Sequence, residues 1–280
     1  MSQEINVRKH SGEMEYFSWE KLHNSLTRAG ADQDSIAKVS EELKYHMFSG
    51  MTTGHIYKLA FKILRKLKQS VAARYGLRKA IMELGPSGHP FEQLVGAVIK
   101  ELGYHTQVGQ IIQGHCVSHE IDVLARNTKE LIMVECKFYN SQGKNCNVQV
   151  PLYINSRFHD VKKNWEKETS NQGLKFSGWV VTNTRFTNDA IDYGTCAGLN
   201  LISWDYPRGG SLKEMVENYA LYPVTALTGL TKKQKETLIE NDVVLCKQLL
   251  LQPDVVGKIE TDKRKQLKIL KEADDLCGNA

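Results

Sequence analysis

Proline and cysteine are both scarce: six of each in 280 residues. The cysteines, at 116, 136, 146, 196, 246 and 277, stand far apart. That scatter excludes a paired-cysteine zinc knuckle and a disulfide framework, and it fits free thiols in a reducing, cytoplasmic setting. No apolar run approaches the roughly eighteen residues that a membrane span needs, so no membrane partner is expected. The opening MSQEINVRKHSGE lacks the apolar core of a signal peptide. A Gly-rich phosphate loop of the Walker type is missing, which argues against nucleotide hydrolysis. Internal repeats and low-complexity tracts are missing too.

What is there suits a globular chain long enough for two or three cores, with 41% apolar and 25% charged residues. The formal net charge is +5, and its distribution is uneven. Residues 1–84 carry 14 Lys/Arg against 9 Asp/Glu, residues 85–206 carry 11 against 12, and residues 207–280 carry 12 against 11. The surplus therefore lies in the first third. A nuclease acting on duplex usually shows a broader basic footprint, so the middle segment is not built for tight DNA capture on its own.

Along the first third, residues 4–17 read as a β-hairpin turning at His10 to Glu13. Ser18 is the N-cap of a helix over 19–29. Apolar spacing predicts further helices over 34–48, 56–67 and 72–84, with Thr52 or Thr53 capping the third. Gly-Pro-Ser-Gly-His-Pro at 85–90 is the clearest linker. Beyond it the pattern becomes a helix over 91–102, a strand over 104–113, a hairpin within 119–138, a helix near 152–167, a strand at 178–182, a helix at 188–197 and a strand at 199–204. Helix, antiparallel strands and an alternating half amount to an α/β sandwich around a mixed sheet. From Pro207 onward the chain reads as short helices, ending in a charged, solvated helix over 258–271. The expected architecture is thus multidomain α/β, divided at 1–84, 85–206 and 207–280.

The strongest chemical signal is the pair of strands holding Asp122 and Glu135, joined by a polar turn over Arg126 to Glu130. A hairpin brings the two carboxylates together. Period two then puts Lys137 on the face of Glu135 and turns Cys136 away. Hard oxygen ligands suit Mg²⁺ or Mn²⁺. A metal-bound water beside a lysine suits phosphodiester hydrolysis. Set against this is a surface hairpin with ordinary exposed charges. His115, Cys116 and His119 nearby offer nitrogen and sulfur for zinc, but no fourth ligand stands at a diagnostic spacing.

Residues 91–205 resemble the Mrr-like branch of the PD-(D/E)xK nuclease superfamily. The resemblance is carried by Phe91-Glu92-Gln-Leu, Glu120-Ile-Asp122, Glu135-Cys-Lys137, Val181-Thr-Asn-Thr-Arg-Phe-Thr-Asn-Asp-Ala190 and Gly198-Leu-Asn-Leu-Ile202. It implies a restriction-endonuclease-like fold in which Asp122 and Glu135 bind the metal, Lys137 acts on the water and Glu92 assists. Ile121 stands where the superfamily's name puts proline.

Residues 5–84 resemble an ATP-cone, through Val7-Arg-Lys9-His-Ser-Gly12, Glu15-Tyr-Phe17, Glu20-Lys21-Leu22, Gly50-Met-Thr-Thr53-Gly-His-Ile56 and Ala73-Arg-Tyr-Gly-Leu-Arg-Lys-Ala80. That resemblance implies a regulatory site for ATP or dATP made by Val7, Lys9, His10, Glu15, Lys21 and Thr53, with Phe17 and Leu22 lining the base pocket. The family usually has arginine where His10 stands, which implies a weaker, pH-dependent phosphate contact. Residues 227–236 resemble a helix-hairpin-helix or sterile-alpha-motif-like module whose hairpin amides and lysines suit a phosphate backbone.

Together these imply a nucleotide-regulated, Mg²⁺-dependent DNA endonuclease, possible as a homo-oligomer because cutting both strands takes two sites. The rival is a non-catalytic, nucleotide-responsive DNA-binding regulator.

Overall fold

A computed structural model describes residues 5–9, 11–141 and 143–278. Strands β1 (Asn6–Arg8) and β2 (Met14–Tyr16) form the expected antiparallel hairpin, with Val7 opposite Glu15. Its first strand is pinned where the third helix begins: Arg8 N–H donates to Met51 O at 3.0 Å and Gly50 N–H to Asn6 O at 2.8 Å. Three helices follow, each with a side-chain cap on its first turn. Ser18 caps α1 (Trp19–Arg28), Asp32 caps α2 (Gln33–His46) and Thr52 caps α3 (Thr53–Leu67). Their apolar stripes, with Leu26, Val39, Leu43, Ala60 and Leu64 fully buried, form a core of their own with Val7.

The single helix expected over 72–84 is instead two, α4 (Gln69–Tyr75) and α5 (Leu77–Met82), divided at Gly76. The apolar pattern runs through this point, but packing breaks it. A Cβ at Gly76 would lie 2.9 Å from the Phe61 ring, so only glycine lets α3 approach this closely. Tyr57 stacks on Tyr75 with ring centroids 5.0 Å apart at the same junction.

Beginning inside the expected 85–90 linker, α6 (His89–Glu101) covers one face of a five-stranded sheet. The sheet contains β3 (His105–Gln113), β4 (Ser118–Arg126) and β5 (Glu130–Lys137), then, after the short β6 (Asn145–Cys146) and α7 (Gln149–Trp165), β7 (Lys175–Thr182). A short β8 (Arg185–Phe186), α8 (Asn188–Cys196) and β9 (Asn200–Ile202) complete it. The order is β3-β4-β5-β7-β9, with the first three strands antiparallel and β5, β7 and β9 parallel. Helices α7 and α8 supply the two crossovers and cover the opposite face, where Ile154, Phe158, Val161 and Ala190 meet Met133, Val180 and Leu201. Central β5 is buried from Leu131 to Cys136, as a strand covered on both faces must be. The mixed sheet between helical layers is the expected restriction-endonuclease-like sandwich.

Five helices follow: α9 (Leu212–Asn218), α10 (Lys232–Glu240), α11 (Cys246–Leu251), α12 (Val256–Ile259) and α13 (Lys263–Cys277). They do not pack as a separate ball. One continuous core runs from Ala73 and α5 through α6 and the sheet to Leu276. Thr225 Oγ donates to Ala80 O at 2.6 Å and Arg74 Nη2 to Asp275 O at 2.9 Å, tying the last helices to the first third. Among the described residues, no helix is long and apolar enough to cross a membrane.

The span 258–271, expected as a solvated helix, is mostly exposed with Ile269 its one buried residue, but the helix itself starts at Lys263 and runs on to Cys277. Helix α13 buries Ile269, Glu272, Ala273 and Leu276 against α11 and α4. Glu272 also fills the hairpin that the sequence offered to a phosphate. Its Oε1 accepts from Thr228 N–H at 2.6 Å and from the Thr228 hydroxyl at 2.7 Å, and its Oε2 accepts from Gly229 N–H at 2.9 Å. Lys235 is likewise occupied, donating to Thr225 O at 2.6 Å. The turn's anion is therefore internal. Glu272→Ala removes the acceptor of three donors on half-buried Thr228 and exposed Gly229, and is expected to lower stability by about 1–2 kcal/mol, read by urea denaturation. A loss under about 0.5 kcal/mol contradicts this role.

Candidate active site

Two local distortions make the site. Strand β3 pairs with β4 at Val108–Val123 and Gln110–Ile121 but not between them, where Gly109 takes a φ of +65° that side chains resist. Pairing of β4 with β5 runs from Arg126–Leu131 to Val123–Val134 and stops. There the Asp122 side chain replaces the ladder, its Oδ2 accepting the Cys136 N–H at 2.6 Å. The twist is visible in burial: Ile121 belongs to the core under α7, whereas Val123 and Ala125 face α6. Asp122 sits where β4 changes face, half-buried.

Glu135 is only 4% exposed, and both its oxygens are engaged. Lys137 Nζ donates to Oε1 at 2.7 Å and Arg157 Nη1, from α7, donates to Oε2 at 2.6 Å. Cys136 points the other way, into the core beside α6, as strand periodicity requires. Glu92, in the first turn of α6, accepts from or faces His89 Nδ1 at 3.4 Å and lies within electrostatic reach of Asp122. The structure thus gathers all four expected residues at one end of the hairpin.

Sequence reasoning missed Arg157. Besides Glu135 it binds the Glu120 carbonyl, and its guanidinium lies 5.5 Å from the Tyr153 ring centroid. Nothing local marks it, because its partners come from other strands.

Crowded carboxylates in a half-buried space resist ionisation. Burial first, then the charge of Glu135, pushes the Asp122 carboxyl up to about 7. Burial raises Glu92 as well, against the pull of His89. Burial would lower the Lys137 ammonium, but its hydrogen bond and charge pairing with Glu135 outweigh that and leave it raised, so it stays charged. Acids held together at this cost, with only oxygen donors, fit a hard dication that keeps several of its own waters. Among the described residues, no group of three or more His, Cys, Asp and Glu is arranged to hold a metal ion. Any cation here would rest on the Asp122–Glu135 pair and water.

The zinc alternative is not supported by the geometry. Asp160 of α7 takes the neighbouring groups: its Oδ2 lies 2.8 Å from His119 Nε2 and its Oδ1 accepts the Cys116 N–H at 2.9 Å. His115 faces Lys167 instead, at 3.4 Å.

In the first third, Val7, Glu15, Phe17, Lys21, Leu22 and Thr53 line one cleft of about 210 Å³. It adjoins a second of about 600 Å³, sharing Thr53 and Tyr57, whose walls hold Arg8, Lys9, Arg78 and Lys79. Lys9 is paired with Glu15 at 2.9 Å and Glu13 at 3.1 Å. His10 lies outside the described residues. Arg78 and Lys79 of α5 lie in the Ala73–Ala80 stretch of the ATP-cone resemblance but were not among the contacts it implied. Arg78 also sits 5.9 Å over the Trp204 ring, at the end of β9.

Comparison with known proteins agrees with the middle of this picture. The restriction endonuclease family model matches residues 85–206, and the model for AF1548-like, C-terminal, matches residues 222–277. Residues 1–84 lie outside both spans. An uncharacterized protein of Archaeoglobus fulgidus is 30% identical over 182 residues, which is 65% of this chain and 98% of the relative. The crystal structure of the protein of unknown function AF1548 aligns at 29% identity with a TM-score of 0.56, over 69% of this chain and 100% of that one.

The raised Asp122 carboxyl has a measurable consequence. A folded value of about 7 against an unfolded value near ~3.9 means that the contribution to stability is full below pH ~4 and is lost as pH rises toward 7. In EDTA, Asp122→Asn is expected to melt several °C above the wild type at pH 8, by roughly 4–8 °C, with the gap closing toward pH 5. A gap independent of pH contradicts the assignment.

Proposed function

The chain belongs to the AF1548-like family and carries a restriction endonuclease domain, and on that premise we propose that it is a Mg²⁺- or Mn²⁺-dependent endonuclease acting on DNA, controlled by ATP or dATP. The observation that carries the hydrolytic reading is the meeting of Asp122, Glu135 and Lys137 where β4 parts from β5. Asp122 and Glu135 would hold the cation, which when bound supplies a Lewis acid and an acidified water. Lys137, charged and half-buried, donates to oxygen at the reacting centre and stabilises negative charge as it develops on the phosphate. Glu92 adds a carboxylate on the α6 side that orients water. Burial of the site by α6 and α7 keeps these charges poorly screened, so their fields count for more than they would in open water.

In the N-terminal unit, the base fits the apolar cleft of Val7, Phe17 and Leu22, with Lys21 and Thr53 at its rim. A triphosphate fits the adjoining basic cleft beside Lys9, Arg8 and Arg78. Arg78 rests on Trp204, so a phosphate that draws on it would be felt at the end of the nuclease sheet. The control is allosteric only if nucleotide prefers one of two states. Two active sites for two strands point to a homo-oligomer in a cytoplasmic setting.

The test is cleavage of a DNA panel by the purified chain with Mg²⁺ or Mn²⁺ against EDTA. Lys137→Ala is expected to slow cleavage by at least ~100-fold, and Asp122→Ala to abolish it. DNA binding without any cutting, unchanged by either substitution, supports the regulator instead. For the nucleotide site, Lys21→Ala is expected to weaken ATP or dATP binding about tenfold in calorimetry, a change of about 1.4 kcal/mol. Equal cleavage rates with and without nucleotide, at fixed free Mg²⁺, rule out the control.

A further inference from the structure

Each Glu135 oxygen already accepts from a cation, Lys137 on Oε1 and Arg157 on Oε2, so a dication at Glu135 would meet one of these charges at close range. Lys137 is on the same strand, two residues away, and moves with its partner. Arg157 comes from another element, α7, with its side chain 12% exposed and a second hold on the Glu120 carbonyl. Its planar fork can leave one acceptor and keep the other. Beside it, Tyr153 presents a ring that is 60% exposed.

We propose that Arg157 is a positioning residue that exchanges the Glu135 carboxylate for a phosphate of the nucleic-acid substrate, so that metal and substrate promote each other's binding. This rests on the nuclease reading above. Without metal, Arg157 neutralises Glu135 and keeps the buried carboxylate in place. A dication held by Glu135 would repel the guanidinium from Oε2, and the freed Arg157 N–H groups would match the paired oxygens of a phosphodiester. A phosphate that captured Arg157 would equally relieve that repulsion at Glu135. Reciprocity makes the coupling factor the same from either side. The plainer role, an ion pair fastening α7 to β5, makes the opposite forecast: removing Arg157 would loosen Glu135 and weaken metal binding.

The experiment uses the full chain and two readouts other than cleavage. Calorimetry with Mn²⁺ measures metal affinity, and fluorescence anisotropy with a hydrolysis-resistant phosphorothioate DNA duplex measures DNA affinity with and without Mn²⁺. In the wild type, Mn²⁺ is expected to tighten DNA binding about tenfold. Arg157→Gln is expected to bind Mn²⁺ about three- to tenfold more tightly than the wild type and to lose the Mn²⁺ effect on DNA. Arg157→Lys keeps the charge but not the fork, so its metal affinity stays near wild type while the Mn²⁺ effect on DNA falls; this variant decides the matter if the glutamine variant does not fold. Unchanged or weaker Mn²⁺ binding in Arg157→Gln overturns the proposal, as does an undiminished Mn²⁺ effect in either variant. Asp122→Asn separates the two levels. Mn²⁺ binding that ignores Asp122 contradicts the nuclease reading itself. Binding that needs Asp122 but is indifferent to Arg157 removes only the exchange.

Discussion

Two acids in one half-buried space are the constraint around which the nuclease domain is arranged. Asp122 and Glu135 repel each other, and burial denies them the water that would screen the repulsion. Each is held by a different device. Asp122 is tied to the Cys136 amide in place of a strand partner, and Glu135 is clamped between Lys137 and Arg157. Gly109 permits the twist that puts Asp122 at the changeover between the two faces of the sheet. Packing by α6 and α7 then fixes the strands that carry both groups. Such an arrangement is a poor way to build stability. It suits the dication that we propose for the site.

The rest of the chain braces that place. The core that begins at Ala73 passes through the sheet and ends at Leu276, so the last helices support the nuclease layer directly. Glu272 closes a turn that would otherwise present free amides, which makes the C-terminal region a brace held by its own internal anion. The first helices keep a separate core, and their basic cleft reaches the sheet through Arg78 on Trp204. That division matches the uneven charge along the sequence, with its cationic surplus in residues 1–84.

Much of the fold was legible where local chemistry and packing agree. The caps Ser18 and Thr52 marked helix starts, and period two placed Glu135 and Lys137 opposite Cys136. Illegible features depend on partners distant in the chain. Gly76 breaks a continuous apolar pattern because Phe61 presses on it. The face of α13 is hidden among many charges, and Glu272 reads as one more of them until Thr228 and Gly229 are seen against it. Arg157 belongs to a helix of ordinary composition, and only the fold brings it to Glu135. Periodicity reports which face is buried, not what waits there.

The most direct measurement is a crystal soaked in Mn²⁺, with the ion located by its anomalous scattering. A metal-dependent nuclease site predicts a peak touched by one oxygen each of Asp122 and Glu135, with Lys137 close by and the remaining ligands water. A peak elsewhere, or no peak while Glu135 stays bound by both Lys137 and Arg157, would contradict it.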